Sequence, residues 1–170
     1  ADAEDYQHQW QKHEAEVAAY EKKKAKDRDP AEQPVPPKRD LRLETLVAAM
    51  QGGVQVQVHC YRADEMAVML DLAQEFHFKI AAFHHGVEAY KIADRLAQEG
   101  VCGALWADWW GFKLEAYDGI WENLAYVDAP KDGCAIVHSD SDEGIQRLNQ
   151  EAAKAMSRGQ RAGLDIPPER

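Results

Sequence analysis

The spacing of apolar positions changes along the chain and divides it into two parts. Near the start, aromatic and other packing side chains recur four and three residues apart, which predicts one long helix. The prolines between residues 29 and 37 cannot continue that helix, so an extended loop is expected there. Asp40 then offers a cap for a second helix. The side chains of the first stripe are Tyr6, Trp10, His13, Val17 and Tyr20.

From residue 54 onward a different pattern repeats four times: a short apolar strand, a polar cluster and an amphipathic helix. Strands that alternate with helices form a parallel sheet through right-handed connections. Neither a glycine-rich dinucleotide loop nor a Walker-type loop is present, which favours a barrel over a nucleotide-binding sheet. The predicted fold class is therefore α/β, a partial (β/α)8 TIM barrel behind an N-terminal helical segment. The predicted strands are 54–59, 79–84, 101–106 and 134–138.

The same pattern predicts the division into domains. Residues 1–40 form a charged helix with a proline-rich loop, and residues 41–170 form about four βα units. A complete barrel takes about 250 residues, so the chain would supply roughly half of one. Residues 166–170 resemble the first turn of a helix that has no body, since proline is favoured there. We therefore expect the chain to be a piece of a larger protein.

Composition narrows the functional classes. With 30 Asp and Glu against 20 Lys and Arg, the net charge of −10 argues against nucleic-acid binding. No apolar run approaches the ~20 residues of a membrane span. The chain begins at Ala1 without a signal-peptide pattern, so the compartment stays open between cytoplasm and periplasm. Cys60, Cys102 and Cys134 are an odd number and far apart, which predicts reduced thiols.

The polar clusters follow the strands, at the end where barrel enzymes carry their active sites. In the first strand valines alternate with polar residues, so the valines should pack under helices while His59 points to the barrel interior. After the second strand either His84 or His85 can face inward. His85 is preferred because it lies nearer the mouth and precedes Gly86. Asp140 lies at the mouth of the fourth strand. We expect these strand ends to be neighbours.

Neutral imidazole and carboxylate groups are the usual protein ligands of zinc and similar divalent ions. The predicted metal ligands are therefore His59, His85 and Asp140, with a divalent metal, zinc by preference, as the cofactor. Asp140 is also the predicted catalytic residue, because a carboxylate beside an activated water can accept its proton and deliver it to a leaving nitrogen. A polar plug in the barrel core is the structural alternative.

Three segments resemble strand ends five, six and eight of the amidohydrolase superfamily, and most closely those of its imidazolonepropionase-like branch. The resemblance covers about residues 41–170 and implies the C-terminal half of the barrel, strands five to eight. It implies that His59 and His85 bind metal and that Asp140 binds metal and shuttles protons. The segments are Val-His-Cys-Tyr-Arg-Ala-Asp-Glu at 58–65, Phe-His-His-Gly at 83–86 and His-Ser-Asp at 138–140.

The resemblance also implies the reaction, which is hydrolysis of a C–N bond through a metal-activated water. The small-molecule substrate would be an amide, a lactam or a dipeptide-like compound. Residues 101–128 would be the seventh βα unit, with Trp109 and Trp110 on a substrate-facing loop. Tyr61 and Arg62, close behind His59, are included as substrate-binding residues.

The chain departs from the family pattern in two respects. The His-x-His pair of strand one and the bridging lysine or glutamate of strand four are absent, and both would precede Ala1. We therefore expect a half-site and an inactive isolated fragment. Two other hypotheses stay open: a deaminase or phosphoesterase of the same barrel type, and a metal-binding or interaction domain without catalysis.

Half a barrel would expose its interior face and two strand edges. This face is expected to carry apolar Ala81, Phe83 and Ile136 beside polar Gln55 and Gln57. Unpaired strand edges and uncovered apolar surface both favour association. The expected partner is therefore the remainder of the barrel or a homodimer mate, with no nucleic acid and no membrane. The alternative is that the N-terminal helix folds back over the open face of its own copy.

Overall fold

The computed structural model describes residues 1–109 and 111–167, with Ala25 described by its backbone alone. The predictions made for Trp110 and for the last turn at 168–170 lie outside the described residues. The chain divides into two units, residues 1–54 and 55–170. None of the helices described is both long and apolar enough to cross a membrane.

The first unit consists of two helices joined by the proline-containing loop. Helix α1 spans Asp2–Lys22 and helix α2 spans Leu41–Met50. The side chain of Asp40 accepts hydrogen bonds from the backbone N–H groups of Arg42 and Leu43 in the first turn of α2, so Asp40 caps this helix as predicted. Tyr6 is buried, and its hydroxyl donates to Glu44 at 3.1 Å, which joins the two helices.

The second unit is a four-stranded parallel sheet whose strands lie in chain order. Every strand falls within two residues of its predicted bounds, so the α/β prediction is confirmed and the arrangement is consistent with part of a barrel. The strands are β1 Val56–His59, β2 Ile80–His84, β3 Cys102–Leu105 and β4 Ala135–Val137. The helices are α3 Ala63–Glu75, α4 Ala93–Glu99, α5 Asn123–Asp128 and α6 Leu148–Arg161.

Helices cover one face of this sheet and form the hydrophobic core with it. Val58 and Phe83 are partners in the strand register and both pack into that core. The prediction that Phe83 faces the barrel interior is therefore wrong. The reason is a register shift early in the β1–β2 pair, where Gln57 pairs with Ala82 and one residue of β2 is passed over. Such a bulge reverses the alternation of every later side chain.

The opposite face of the sheet, called here the open face, carries a mixture of polar and small apolar residues. Ile136 and Gln57 lie on this face, as predicted, and Ile136 is 47% exposed. His84 also lies on it, because His84 pairs with His59 in the register. The members of the open face are Gln57, His59, Ala82, His84, Cys102, Ala104 and Ile136.

A disulfide joins Cys102 to Cys134, with 4.6 Å between their Cα atoms. The prediction of reduced thiols is wrong for this pair, whereas Cys60 is free and buried. Gly103 pairs with Ala135 in the β3–β4 register, which places the two preceding cysteines side by side. Their separation of 32 residues in sequence gave no sign of this contact.

Candidate functional site

The carboxyl ends of the four parallel strands lie at one edge of the sheet, and polar clusters from different strands meet there. Nδ1 of His59 lies 2.9 Å from Nε2 of His85. The expectation that these strand ends lie side by side or nearly so is confirmed, since β1 and β2 are adjacent and β3 lies between β2 and β4. The role of the two imidazoles as metal ligands stays a prediction.

Backbone geometry explains how two consecutive histidines reach the same site. Strand β2 ends at His84, and His85 follows with a φ of +50°. A non-glycine residue in this left-handed region is uncommon and costs roughly 1–2 kcal/mol. The turn is held by the backbone N–H of His85, which donates to the carbonyl of Ala104 at 2.7 Å. Both imidazoles consequently lie against the ring of His59.

His85 is only 7% exposed and lies among aromatic rings. The ring of Tyr61 stacks on it at 4.2 Å, and the ring of Trp106 lies 5.1 Å away. Burial, followed by the proximity of His59, lowers the pKa of His85 to about 4. At neutral pH the side chain is therefore the uncharged imidazole that binds metals. Its Nδ1 is buried and has no hydrogen-bond partner among the described residues.

His84 extends the same group of imidazoles across the open face. Its Nε2 lies 2.5 Å from the amide oxygen of Gln57, and its ring stacks on His59 at 4.8 Å. The ring of His138 approaches it edge-on at 5.2 Å. Burial lowers the pKa of His84 as well. The structure thus places both consecutive histidines at the site.

Asp140 lies at the end of β4 and is held through both carboxylate oxygens. Nε2 of His138 lies 3.0 Å from Oδ1, and the indole N–H of Trp106 donates to Oδ2 at 3.0 Å. Within the part of the chain that the structure describes, no three His, Cys, Asp or Glu side chains are arranged to hold a metal ion. The structure therefore brings His59 and His85 together, with Asp140 outside that pair.

The predicted substrate-binding residues have different surroundings. Tyr61 contacts His85, and Trp109 contacts the ring of Trp106 at 4.9 Å. Arg62 instead forms an exposed ion pair with Asp64 and lines a cavity of about 450 Å³ that includes none of the histidines. Tyr61 and Trp109 therefore lie beside the site, whereas Arg62 is engaged elsewhere.

Comparison with known proteins gives a family relationship. No protein-family profile matches the chain. The amidohydrolase tasK of Hapsidospora irregularis is 38% identical over 84 residues, which are 47% of this chain and 9% of that protein. The crystal structure of an amidohydrolase from Thermotoga maritima MSB8 matches with a TM-score of 0.64 and 27% identity, over 87% of this chain. The chain is similar to these two amidohydrolases over the matched residues.

This amidohydrolase relationship confirms the resemblance at the level of the superfamily. The chain spans 9% of the length of the curated relative and 38% of the solved structure. The two matched proteins are therefore much longer than the segment described here.

Neutral imidazole is a common zinc ligand, and the spacing of the imidazole pair can be compared with that of two zinc ligands. Two nitrogen ligands of a tetrahedral zinc ion, each at about 2.0–2.1 Å, lie roughly 3.3 Å apart. The 2.9 Å separation of the His59 and His85 nitrogens would need to widen by only a few tenths of an ångström. The separation of the two nitrogens is therefore compatible with two positions of such an ion, and no third ligand is arranged with them among the described residues.

Sequence reasoning missed two side chains that shape the site. Asn123 is buried; its amide donates to the carbonyl of Gly86 at 3.0 Å and accepts from the N–H of Tyr90 at 2.9 Å. Lys113 donates to the hydroxyl of Tyr61 at 2.8 Å. A single asparagine gives no sequence signal. Lys113, in contrast, ends the segment Trp-Trp-Gly-Phe-Lys that follows β3, and this aromatic segment could have indicated a residue of the site.

Proposed function

We propose that this chain provides strands five to eight of a metal-dependent amidohydrolase. The enzyme would hydrolyse a C–N bond in a small amide, lactam or dipeptide-like molecule, and it would be of the imidazolonepropionase-like type. The observation that carries the proposal is the contact between His59 and His85 at the carboxyl edge, with Asp140 held on the same edge. The relationship to amidohydrolases supports it.

In this proposal His59 and His85 hold the divalent metal, zinc by preference, and Asp140 is a further ligand. When bound, such an ion supplies Lewis acidity and lowers the pKa of a coordinated water. His85 suits this role because burial keeps it uncharged at neutral pH. The rings of Tyr61 and Trp106 cover His85 and exclude water from it.

Asp140 is the group that moves the proton. One of its oxygens accepts from Trp106, and the other contacts His138, so the carboxylate has a defined orientation. An oriented carboxylate can take a proton from the attacking water and deliver it to the leaving nitrogen. Asp140 therefore acts as both base and acid in the proposed reaction.

The His-x-His pair of the superfamily does not occur among these 170 residues. With two imidazoles and one carboxylate, a metal would stay open to several waters. We therefore expect the 170-residue chain alone to lose metal on dialysis and to show no turnover. Stoichiometric metal that survives a chelator in this chain would contradict the half-site.

The deciding experiment uses the full-length polypeptide that contains this chain. Bound metal is measured by inductively coupled plasma mass spectrometry, and turnover is measured on a panel of amides, lactams and dipeptides. His59→Asn and His85→Asn should lose metal, and Asp140→Asn should lower kcat at least ~100-fold. The matched control is His77→Asn, because His77 is exposed and its φ of +58° suits asparagine.

Wild-type activity in Asp140→Asn, together with unchanged metal content in both histidine variants, would overturn the proposal. The panel also includes a phosphodiester and an aminopyrimidine, because the same ligands serve phosphoesterases and deaminases. Turnover confined to either of these compounds would replace amide hydrolysis with the corresponding reaction. Tight metal binding without any turnover would favour the binding module.

A further inference from the structure

A continuous series of ring contacts leads outward from His85. Trp106 lies 5.1 Å from His85, Trp109 lies 4.9 Å from Trp106, and Phe112 lies 5.2 Å from Trp109. Exposure rises along this series, from 3% at Trp106 to 43% at Trp109 and 53% at Phe112. Exposed aromatic surface next to a polar site is typical of ligand-binding surfaces. We call Tyr61, Trp106, Trp109 and Phe112 the aromatic wall.

One cation lies against this aromatic wall. Nζ of Lys113 is 4.6 Å from the ring centroid of Tyr61 and 5.6 Å from that of Phe112. Although the chain has 30 acidic residues, Lys113 forms no ion pair within the described residues. The hydrogen bond to Tyr61 raises the pKa of Lys113, so the ammonium group stays charged.

Lys113 and Tyr61 together present two hydrogen-bond donors. The Tyr61 hydroxyl accepts from Lys113 at 2.8 Å, which leaves the hydroxyl proton available for another acceptor. The ammonium group keeps further N–H donors of its own. A carboxylate accepts from two adjacent donors, and such charge-assisted hydrogen bonds are the stronger kind. Arg62, the other nearby cation, is already engaged with Asp64.

We propose that the aromatic wall and Lys113 form a substrate subsite for an aromatic group and a carboxylate. The substrate would then be an amide that bears both a flat apolar group and a free carboxylate. The aromatic group lies against Trp109 and Phe112, and the carboxylate accepts from Lys113 and Tyr61. This inference rests on the proposed function, because it names the substrate class of that same site.

The reach of the subsite fits such a substrate. One face of the Tyr61 ring stacks on His85, and the Tyr61 hydroxyl accepts a hydrogen bond from Lys113. The proposed position of the substrate carboxylate is therefore separated from the imidazole pair by the side chain of Tyr61. A substrate whose amide bond lies at the imidazole pair would carry its carboxylate within a few covalent bonds of that amide, as an N-acylated aromatic amino acid does.

The test measures binding of 3-phenylpropanoate to the full-length protein by isothermal titration calorimetry. This probe has the ring and the carboxylate but no bond that a hydrolase could cut. Two analogues separate its parts: 3-phenylpropan-1-ol lacks the charge, and propanoate lacks the ring. We expect the probe to bind about tenfold more tightly than either analogue, as one charged hydrogen bond or one ring contact would give.

Substitutions then assign each preference to a side chain. Lys113→Met should reduce the preference for the carboxylate over the alcohol to less than about twofold, and Lys113→Arg should retain it. Trp109→Ala should remove the preference for the ring. The matched controls, Lys79→Met and Trp121→Ala, should keep both preferences. Lys79 is exposed and precedes β2, and Trp121 is stacked with Arg158.

The subsite is refuted if the wild type does not prefer the carboxylate, or if Lys113→Met keeps that preference because the carboxylate binds elsewhere. A ring preference that survives in Trp109→Ala and in Phe112→Ala also refutes it. The experiment distinguishes failure of the subsite from failure of the proposed function. Probe binding in the expected pattern without amide hydrolysis refutes the reaction alone. Amide hydrolysis without preference for aromatic carboxylates refutes the subsite alone.

Discussion

Trp106 is the residue that connects the two parts of the candidate site. Its indole N–H donates to Asp140, and its ring lies against His85. At 3% exposure the indole is rigidly packed, so it can fix the position of a carboxylate that is itself more open to solvent. The orientation of Asp140 therefore depends on the side chain that directly follows β3.

Trp106→Phe removes this hydrogen bond while it keeps most of the buried ring. Because the acceptor is a charged carboxylate that is partly exposed, we expect the free energy of unfolding to fall by about 1–2 kcal/mol. In the full-length protein kcat should fall more than KM changes. Urea unfolding and steady-state kinetics measure the two effects. Trp121→Phe is the control, and an equal loss in both variants would contradict a specific role for Trp106.

His85 gives a prediction about pH for the protein after treatment with a chelator. Its pKa is lowered from 6.5 to about 4 in the folded state. Below pH 6.5 the unfolded chain therefore binds a proton that the folded chain does not. Stability contributed by His85 is complete above this pH and is lost as the pH falls toward 4, by at most about 3 kcal/mol. Urea unfolding at several pH values should show this slope, and His85→Asn should flatten it; equal slopes would contradict the prediction.

At the scale of the elements, Asn123 fixes α5 to the loop that carries His85. Both ends of its amide are used: one binds Gly86 just behind His85, and the other binds Tyr90. Asn123→Ala leaves two backbone groups without these partners, so the free energy of unfolding should fall by about 2–3 kcal/mol. Asn149→Ala, at an exposed position of α6, should change it by less than about 0.5 kcal/mol. Similar losses in the free energy of unfolding in both variants would contradict a specific stabilising role of the Asn123 amide.

The disulfide joins β3 to β4 at the opposite end of the strands from the site. It closes a loop of 32 residues, and in the chain-entropy account such a link stabilises the fold by about 3–4 kcal/mol. Dithiothreitol should therefore lower the unfolding midpoint of the wild type but not that of a Cys102→Ala, Cys134→Ala double variant. Thiol labelling of the unfolded, unreduced protein should detect Cys60 alone. Three labelled thiols would contradict the disulfide.

For the whole molecule, we expect the open face to be the surface that a partner covers. Ile136 is half exposed there, and each of β1 and β4 has one edge without a partner strand among the described residues. For the 170-residue chain by itself we expect a homodimer, in which a second copy covers the open face in place of the remainder of the barrel.

Light scattering tests this expectation. Ile136→Asp should shift the dimer toward monomer, because it places a charge on the face that would be covered. Val68→Asp is the control, since Val68 is an exposed apolar residue on α3. Phe83→Asp is unsuitable because Phe83 is fully buried in the core. A monomeric wild type, or equal effects of both aspartates, would contradict association through the open face.

The hydrophobic pattern was enough to locate the strands and helices and the polar clusters that follow the strands. The reason is that hydrophobic period and capping are local properties: the valines of β1 and the cap at Asp40 act within a few residues of themselves. Local pattern together with parallel connectivity also brought His59 and His85 to one edge. The family relationship could be predicted for the same reason, because its motifs lie at those strand ends.

Which side chains are in contact could be read from the folded chain alone. The bulge in β2 turned Phe83 to the core, and the left-handed backbone at His85 brought two consecutive histidines to one site. The bond from Trp106 to Asp140 spans 34 residues, and that from Lys113 to Tyr61 spans 52. Contacts of this kind depend on strand register and loop path, which are set by the packing of the whole sheet and leave no periodic trace in the sequence.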